Sequence, residues 1–268
     1  KNSQNYISQI DGGEIESPRV VSLRIFGIPN AFLTFRRSNQ GDVALTDGYT
    51  KFALFAMRTD LGEPRLERGL HHLGIEVEDM TATLDRYSGH RPGWPAVGES
   101  GGLLAGDYRI YDSEANPVSL SADGFGLGAG ERRLPRLGHI ALNALNTDAM
   151  LDFYTEIFGF RELNTSRERR RQGRGNRFVG DGFTNLAIHP FHSDVDGHEP
   201  RFGVNHFGLL GNDLEDRRAA CEKAASVAKR PDWRPYAEYR VRDPEANGVD
   251  LTQNKGWEVD VDKWETVG

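Results

Sequence analysis

Two hydrophobic periods alternate along the second half of the chain. LGHIALNAL (Leu137 to Leu145) is a short apolar run with strand character, and TDAMLDFYTEIFGF follows with apolar residues at helical spacing and Thr147 as the expected N-cap. RELNTSRERR, GNRFVGD and TNLAIHPF then read as three strands, which predicts a β-α-β-β-β unit. The pattern restarts at GVNHFGLL, passes through the helical LEDRRAACEKAAS and ends in two strands around DPEANG. There Pro244 and the Asn247-Gly248 pair carry the chemistry of a tight reversal.

The first half repeats this plan. DGYTKFALF from Asp47 resembles DGFTNLAIH from Asp181, and GLHHLGIEVEDM from Gly69 resembles GVNHFGLLGNDL from Gly203, both 134 residues apart. YRIYDSEANPVSL from Tyr108 and YRVRDPEANGVDL from Tyr239 differ by 131, which places a three-residue difference in the intervening loops. Two homologous halves follow, residues 1–128 and 129–268, joined near GFGLGAGERRLPR, whose Gly and charge content suits a linker. The opening unit of the first half is hard to parse before Asp42.

Polar residues interrupt four of the core-like strands of the second half. His139 and His206 occupy the opening strand of two successive units, and His189 and Asp250 the closing strand. Singly, each has an ordinary explanation: a histidine in an apolar strand is more often a satisfied core or edge residue, and an aspartate after Asn-Gly can accept from turn amides. Matched positions in repeated units are not predicted by those explanations. Two imidazoles and a carboxylate are the set that binds a divalent first-row metal while leaving positions open. The first half is a control: the offsets carry His206 to His72, His189 to Phe55, Asp250 to Ser119 and His139 to Asn5, so a catalytic metal is expected only in the second half.

Composition narrows the partners. A net charge of −7 argues against a general nucleic-acid or membrane-surface binder, and no apolar run approaches a membrane span. The polar first residues do not read as a signal peptide, and a single cysteine, Cys221, fits a reducing cytoplasm and a packed thiol. RERRRQGRGNR (Arg167 to Arg177) reads as a solvated hairpin or as a guanidinium-rich lip for an anionic substrate. Tyr236, Tyr239, Arg240 and Trp257 flank Asp250 and are candidate pocket-lining residues, the first three as substrate contacts. His90, His192 and His198 stand in polar, loop-like context and read as surface residues.

The motifs LGHIALNALNTDAMLDFYTEIFGF, DGFTNLAIHPF, GVNHFGLLGNDLE and YRVRDPEANGVDL resemble the vicinal oxygen chelate superfamily of glyoxalases, bleomycin-resistance proteins and extradiol dioxygenases. The resemblance spans roughly residues 42 to 255 and implies an α+β fold of four βαβββ modules in two tandem paired domains, each a curved mixed sheet around a cavity. Four modules in one chain look like the two-domain extradiol dioxygenases. Their metal triad carries over as His139, His206 and Asp250, with Fe(II) favoured over Mn, Zn or Ni, and His189 falls at their acid/base histidine. Asp250 stands where the family usually has glutamate, Arg240 where those enzymes have a tyrosine, and their further upstream histidine has no counterpart in AKRPDWRPYAEY. The resemblance implies an extradiol-type dioxygenase on a small catechol-like substrate with O2. A glyoxalase-like lyase or isomerase with His189 as a fourth ligand is the alternative, and a non-catalytic ligand-sequestering protein the third. Paired modules within one chain remove the need for a dimer to build the site, and homo-oligomers stay compatible with it.

Overall fold

A computed structural model describes residues 36–37, 43–46, 50–54, 71–99, 106–125, 136–191, 203–223, 225–233, 236–242, 247–253, 257 and 259. The chain is mixed α+β. In the first half, β1 (Arg36–Arg37), β2 (Val43–Thr46) and β3 (Lys51–Leu54) form an antiparallel sheet. A unit of β4 (Leu73–Glu76), α1 (Met80–His90), β5 (Val97–Gly98), β6 (Tyr108–Tyr111) and β7 (Pro117–Ser121) follows, with β4 parallel to β7.

The second half holds two further copies of that unit. One is β8 (Arg136–Ala144), α2 (Thr147–Phe158), β9 (Arg161–Glu162), α3 (Asn164–Arg171), β10 (Arg177–Gly180) and β11 (Asn185–Pro190). The other is β12 (Gly203–Leu210), α4 (Leu214–Glu222), β13 (Ser226–Lys229), β14 (Tyr239–Arg242) and β15 (Gly248–Thr252). In both, the opening strand runs parallel to the closing one, β8 with β11 and β12 with β15. Antiparallel pairing of β8 with β12 fuses them into one eight-stranded sheet, in the order β13-β14-β15-β12-β8-β11-β10-β9.

Local chemistry explains most of these elements and corrects two expectations. Asn146, not Thr147, caps α2, its side-chain oxygen accepting from the Ala149 amide at 3.0 Å, and Gly159 ends the helix in the left-handed conformation at φ 69°. RELNTSRERR is a two-residue strand followed by α3, because Arg and Glu are good helix formers and Ser166 tucks its hydroxyl onto Glu162 at 2.7 Å. Residues 126–135 of the Gly-rich linker, Pro244, His192, His198, Phe55 and Asn5 lie outside the described residues.

The apolar residues of alternate strand positions form the helix-facing core. Leu142, Ala144, Leu186 and Ile188 pack against Met150, Phe153, Tyr154 and Ile157 of α2, and this cluster continues into Leu73, Tyr87, Ile110, Val118 and Leu120 of the first half. Around β12 and β15, Leu209, Val249 and Leu251 pack with Leu214 and Cys221 of α4. Cys221 is the packed thiol its context suggested, its pKa raised to about 11 by burial. The opposite face of the large sheet is left to His139, Asn143, Asn185 and Asp250, all buried.

Candidate metal centre

Strand register assembles the site. Across five neighbouring strands, Asn185 lies beside His139, His139 beside Gly208, Gly208 beside Asp250 and Asp250 beside Arg240. His206 sits one row away on the same strand as Gly208, between Ala141 and Gly248, whose small size leaves room for the imidazole. The register of β12 against β8 shifts between Val204 and His206, so Asn205 is an extra residue. A bulge of this kind lets consecutive residues serve one site, where a regular strand would send them to opposite faces.

The two imidazoles meet at the centre. Nε2 of His139 is 3.1 Å from Nε2 of His206, and Asp250 Oδ2 is 3.5 Å from His206 Nε2. Each imidazole is held from behind by an asparagine. His139 Nδ1–H donates to Asn185 Oδ1 at 2.9 Å, and the Asn185 amide nitrogen donates to the Trp257 carbonyl at 2.6 Å, which fixes which end of the amide faces the ring. His206 Nδ1–H likewise donates to Asn205 Oδ1 at 2.6 Å, while the Asn205 amide nitrogen donates to Asn143 Oδ1 at 3.0 Å. With both Nδ1 atoms protonated, both Nε2 atoms carry lone pairs that face each other.

Burial keeps both rings neutral. It lowers the His139 pKa to about 4 against the attraction of Asp250, and it takes His206 well below the ordinary imidazole value, assisted by the charges of Arg240 and the neighbouring histidines. Two neutral nitrogens aimed at one point, each tautomer set by an outer amide, is the arrangement of histidines that ligate a cation. Trp257 closes this floor, its ring stacked on His139 at 5.0 Å and 6°. A Cβ on Gly208 would stand 2.7 Å from both His139 Cβ and the Trp257 ring, so glycine is the residue that fits there.

Asp250 is the less open member. Arg240 donates Nε to Oδ1 and Nη2 to Oδ2, the latter at 3.0 Å, and both side chains are buried. Among the described residues no group of three or more His, Cys, Asp or Glu side chains encloses a metal position as it stands. The Arg240 fork explains why: it draws the carboxylate toward β14, leaving one oxygen edge toward His206. The donor set fits a divalent ion through the two imidazoles, with Asp250 Oδ2 able to complete it by sharing its lone pairs with Arg240.

The remaining predicted residues separate. The His189 ring centroid is 5.9 Å from that of His206, and the ring hydrogen-bonds Asn176 through Nδ1 and meets Phe178 edge-on at 6.2 Å. The Tyr236 hydroxyl accepts from Arg169 Nε and Nη2 at 3.0 and 2.7 Å, at the rim. Arg240 is on the site but engages Asp250, and Tyr239, on the alternate face of β14, bonds Glu215 of α4 through its hydroxyl at 2.7 Å. Sequence reasoning missed Asn185, Asn205, Asn143, Phe178 and Asn176. Asn185 was within reach, since it shares the face of β11 with His189 four residues on.

The first half builds the same frame. His72 Nδ1 is 2.7 Å from His71 Nδ1, where His206 has Asn205, and Arg109 of β6 stands beside Ser119 as Arg240 does beside Asp250. Glu99 forms an ion pair with Arg109 there. A Cβ on Gly74 would lie 2.9 Å from the Phe125 ring, matching Gly208 beneath Trp257.

Residues 136–250 match the family model for the Glyoxalase/Bleomycin resistance protein/Dioxygenase superfamily. No curated protein sequence matches the chain. Among solved structures, the 2,3-dioxygenase LapB from Pseudomonas sp. KL28 is 12% identical with a TM-score of 0.57, covering 88% of each chain. The 2,2',3-trihydroxybiphenyl 1,2-dioxygenase from Sphingomonas wittichii strain RW1 is 14% identical with a TM-score of 0.56, covering 91% of this chain and 87% of that one. A variant of 4-hydroxymandelate synthase from Streptomyces coelicolor is 14% identical with a TM-score of 0.55 and 90% coverage of both. The repeated units and their register agree with these matches: the chain is similar in fold to these proteins, and its residues 136–250 are similar to the glyoxalase/bleomycin resistance/dioxygenase superfamily.

Proposed function

We propose that the chain is a divalent-metal-dependent, extradiol-type dioxygenase acting on a small, vicinally oxygenated, catechol-like substrate. His139, His206 and Asp250 hold the metal, with Fe(II) favoured, and His189 is the acid/base group. The observation that carries this reading is the convergence of two neutral Nε2 atoms at 3.1 Å, each fixed by an asparagine on Nδ1. Two facing lone pairs repel unless a cation lies between them. When bound, the ion supplies Lewis acidity toward two adjacent substrate oxygens and positions for O2.

The protein groups do the rest. Trp257 and Gly208 form a dry floor that keeps water from the two imidazoles. His189, one ring away and oriented by Asn176, takes a proton from a substrate hydroxyl and returns it later, a role matched to an imidazole. Its distance from His206, greater than the 5.0 Å centroid separation of His139 from His206, supports the acid/base role over a fourth ligand and so disfavours the lyase or isomerase.

The test is oxygen uptake by iron(II)-reconstituted protein with a panel of catechols, together with the metal content of His206→Ala. We expect turnover by the wild type and at least a tenfold loss of iron affinity in the variant. No uptake with any catechol would falsify the dioxygenase. One observation favours a second reading: the Arg240 fork on Asp250 satisfies the carboxylate without a metal. A ligand-sequestering protein would hold its compound in this cleft unchanged, and purified protein that takes up no metal while binding catechol supports that reading.

A further inference from the structure

Above Phe178 lies an arginine, Arg169, with no carboxylate partner among the described residues. Of the basic residues around α3, Arg170 pairs with Glu162 at 2.7 Å and Arg177 with Asp148 at 2.6 Å. Arg169 instead places its guanidinium 5.6 Å from the Phe178 ring centroid and 5.2 Å from that of Tyr236, and among the described residues no acidic group lies within ion-pair distance of it. It is half-buried, held by Nε and Nη2 on the Tyr236 hydroxyl. Nη1 remains for another acceptor, and the Tyr236 hydroxyl, which accepts both bonds, keeps its own proton to donate.

Arg169 and Tyr236 border an open cleft of about 400 Å3, also lined by Asn164, Thr165 and Arg174. Glu168 faces the cleft too, its carboxylate accepting from Gln172 at 2.7 Å. Phe178, which lies against Arg169 and Tyr236 of the cleft wall, also meets the His189 ring edge-on at 6.2 Å. A guanidinium held over two adjoining rings and tied to a neutral hydroxyl is preorganised for a planar anion, and its desolvation is offset when a carboxylate arrives.

We infer that Arg169, presented by Tyr236 and Phe178, binds a carboxylate on the substrate, so that the substrate is a vicinally oxygenated aromatic acid rather than a neutral catechol. The inference rests on the dioxygenase reading for the position of the vicinal oxygens, but the Arg169 contact acts without metal. The negative protein as a whole repels such an acid, and the arginines of α3 offset that repulsion at the rim.

The experiment is calorimetric titration of the full chain, with and without iron(II) under anaerobic conditions, with 3,4-dihydroxybenzoate and its methyl ester. Wild type should bind the acid at least tenfold more tightly than the ester. Arg169→Gln should remove that preference and Arg169→Lys should keep part of it. Equal binding of acid and ester by wild type, a preference that survives in Arg169→Gln, or binding of neither probe each overturns the assignment. Failure of the metal reading registers separately, as no iron uptake with the acid preference still measured in metal-free protein.

Discussion

Arg240 and Asp250 show how one residue can set the character of a site. Both are buried, and their forked contact neutralises the charge that a divalent ion would use. Arg240→Gln should therefore raise affinity for iron(II) about tenfold and lower the stability of metal-free protein by about 3 kcal/mol, because it leaves a buried carboxylate without its partner. Competition with a chelator and urea unfolding read the two effects. A drop in metal affinity would instead mean that Arg240 aims Asp250 at the metal. The histidines add a pH dependence. Their folded pKa values lie below the unfolded value, His139 and His72 at about 4. Between about pH 6.5 and about pH 4 the unfolded chain thus binds more protons than the folded one, and stability falls as the pH drops. His139 accounts for on the order of 3 kcal/mol across that window. Asp112, its pKa raised chiefly by burial, works with the opposite sign over its own range. Urea midpoints of chelator-treated protein should decline through the window, and a flat profile counts against neutral buried imidazoles.

Among the elements, β12 carries the most constraint. It joins two units through β8, bulges at Asn205 and yields a side chain at Gly208 to Trp257. Its counterpart β4 makes the same concession at Gly74 to Phe125. The obstacles differ: at Gly208 a methyl would meet Cβ of His139, which is tied to the backbone, whereas at Gly74 it would meet the end of one aromatic ring. Gly208→Ala should cost about 1–3 kcal/mol and weaken metal binding, while Gly74→Ala should leave metal binding unchanged. Differential scanning fluorimetry and metal titration of the two variants make the comparison, and equal effects would sink it.

At the scale of the whole molecule, several contacts link the two halves. Tyr154 of α2 donates to the buried Asp112 at 3.1 Å, Arg86 of α1 donates to the Ile157 carbonyl at 2.8 Å, and Phe52 meets Phe207 at 5.0 Å. His90 of α1, part-exposed as a surface residue would be, bonds the exposed Glu156 of α2 at 2.8 Å. With one apolar cluster crossing between the halves, urea should unfold both in a single transition seen alike by circular dichroism and tryptophan fluorescence. Tyr154→Phe should shift that transition as a whole by about 1 kcal/mol, since Asp112 keeps its bonds to Asn116. Separate transitions for the halves would count against this coupling. No helix among the described residues is long and apolar enough to cross a membrane.

The repeat, the periodicities and the polar interruptions at matched positions were all legible in the sequence, because strand alternation and turn chemistry are local. They singled out His139, His206, His189 and Asp250 as candidates, together with the units that hold them. Lateral order was not local. Which residue of β8 faces which residue of β12 depends on a pairing between units and on a bulge, so the asparagines behind the imidazoles and the glycine beneath Trp257 emerged only in the folded chain. The same holds for the two arginines: composition read the α3 segment as one basic run, and tertiary contacts gave Arg240 a carboxylate and left Arg169 facing a cleft. A side chain's charge belongs to the sequence, but its partner is decided by the packing that brings distant strands together.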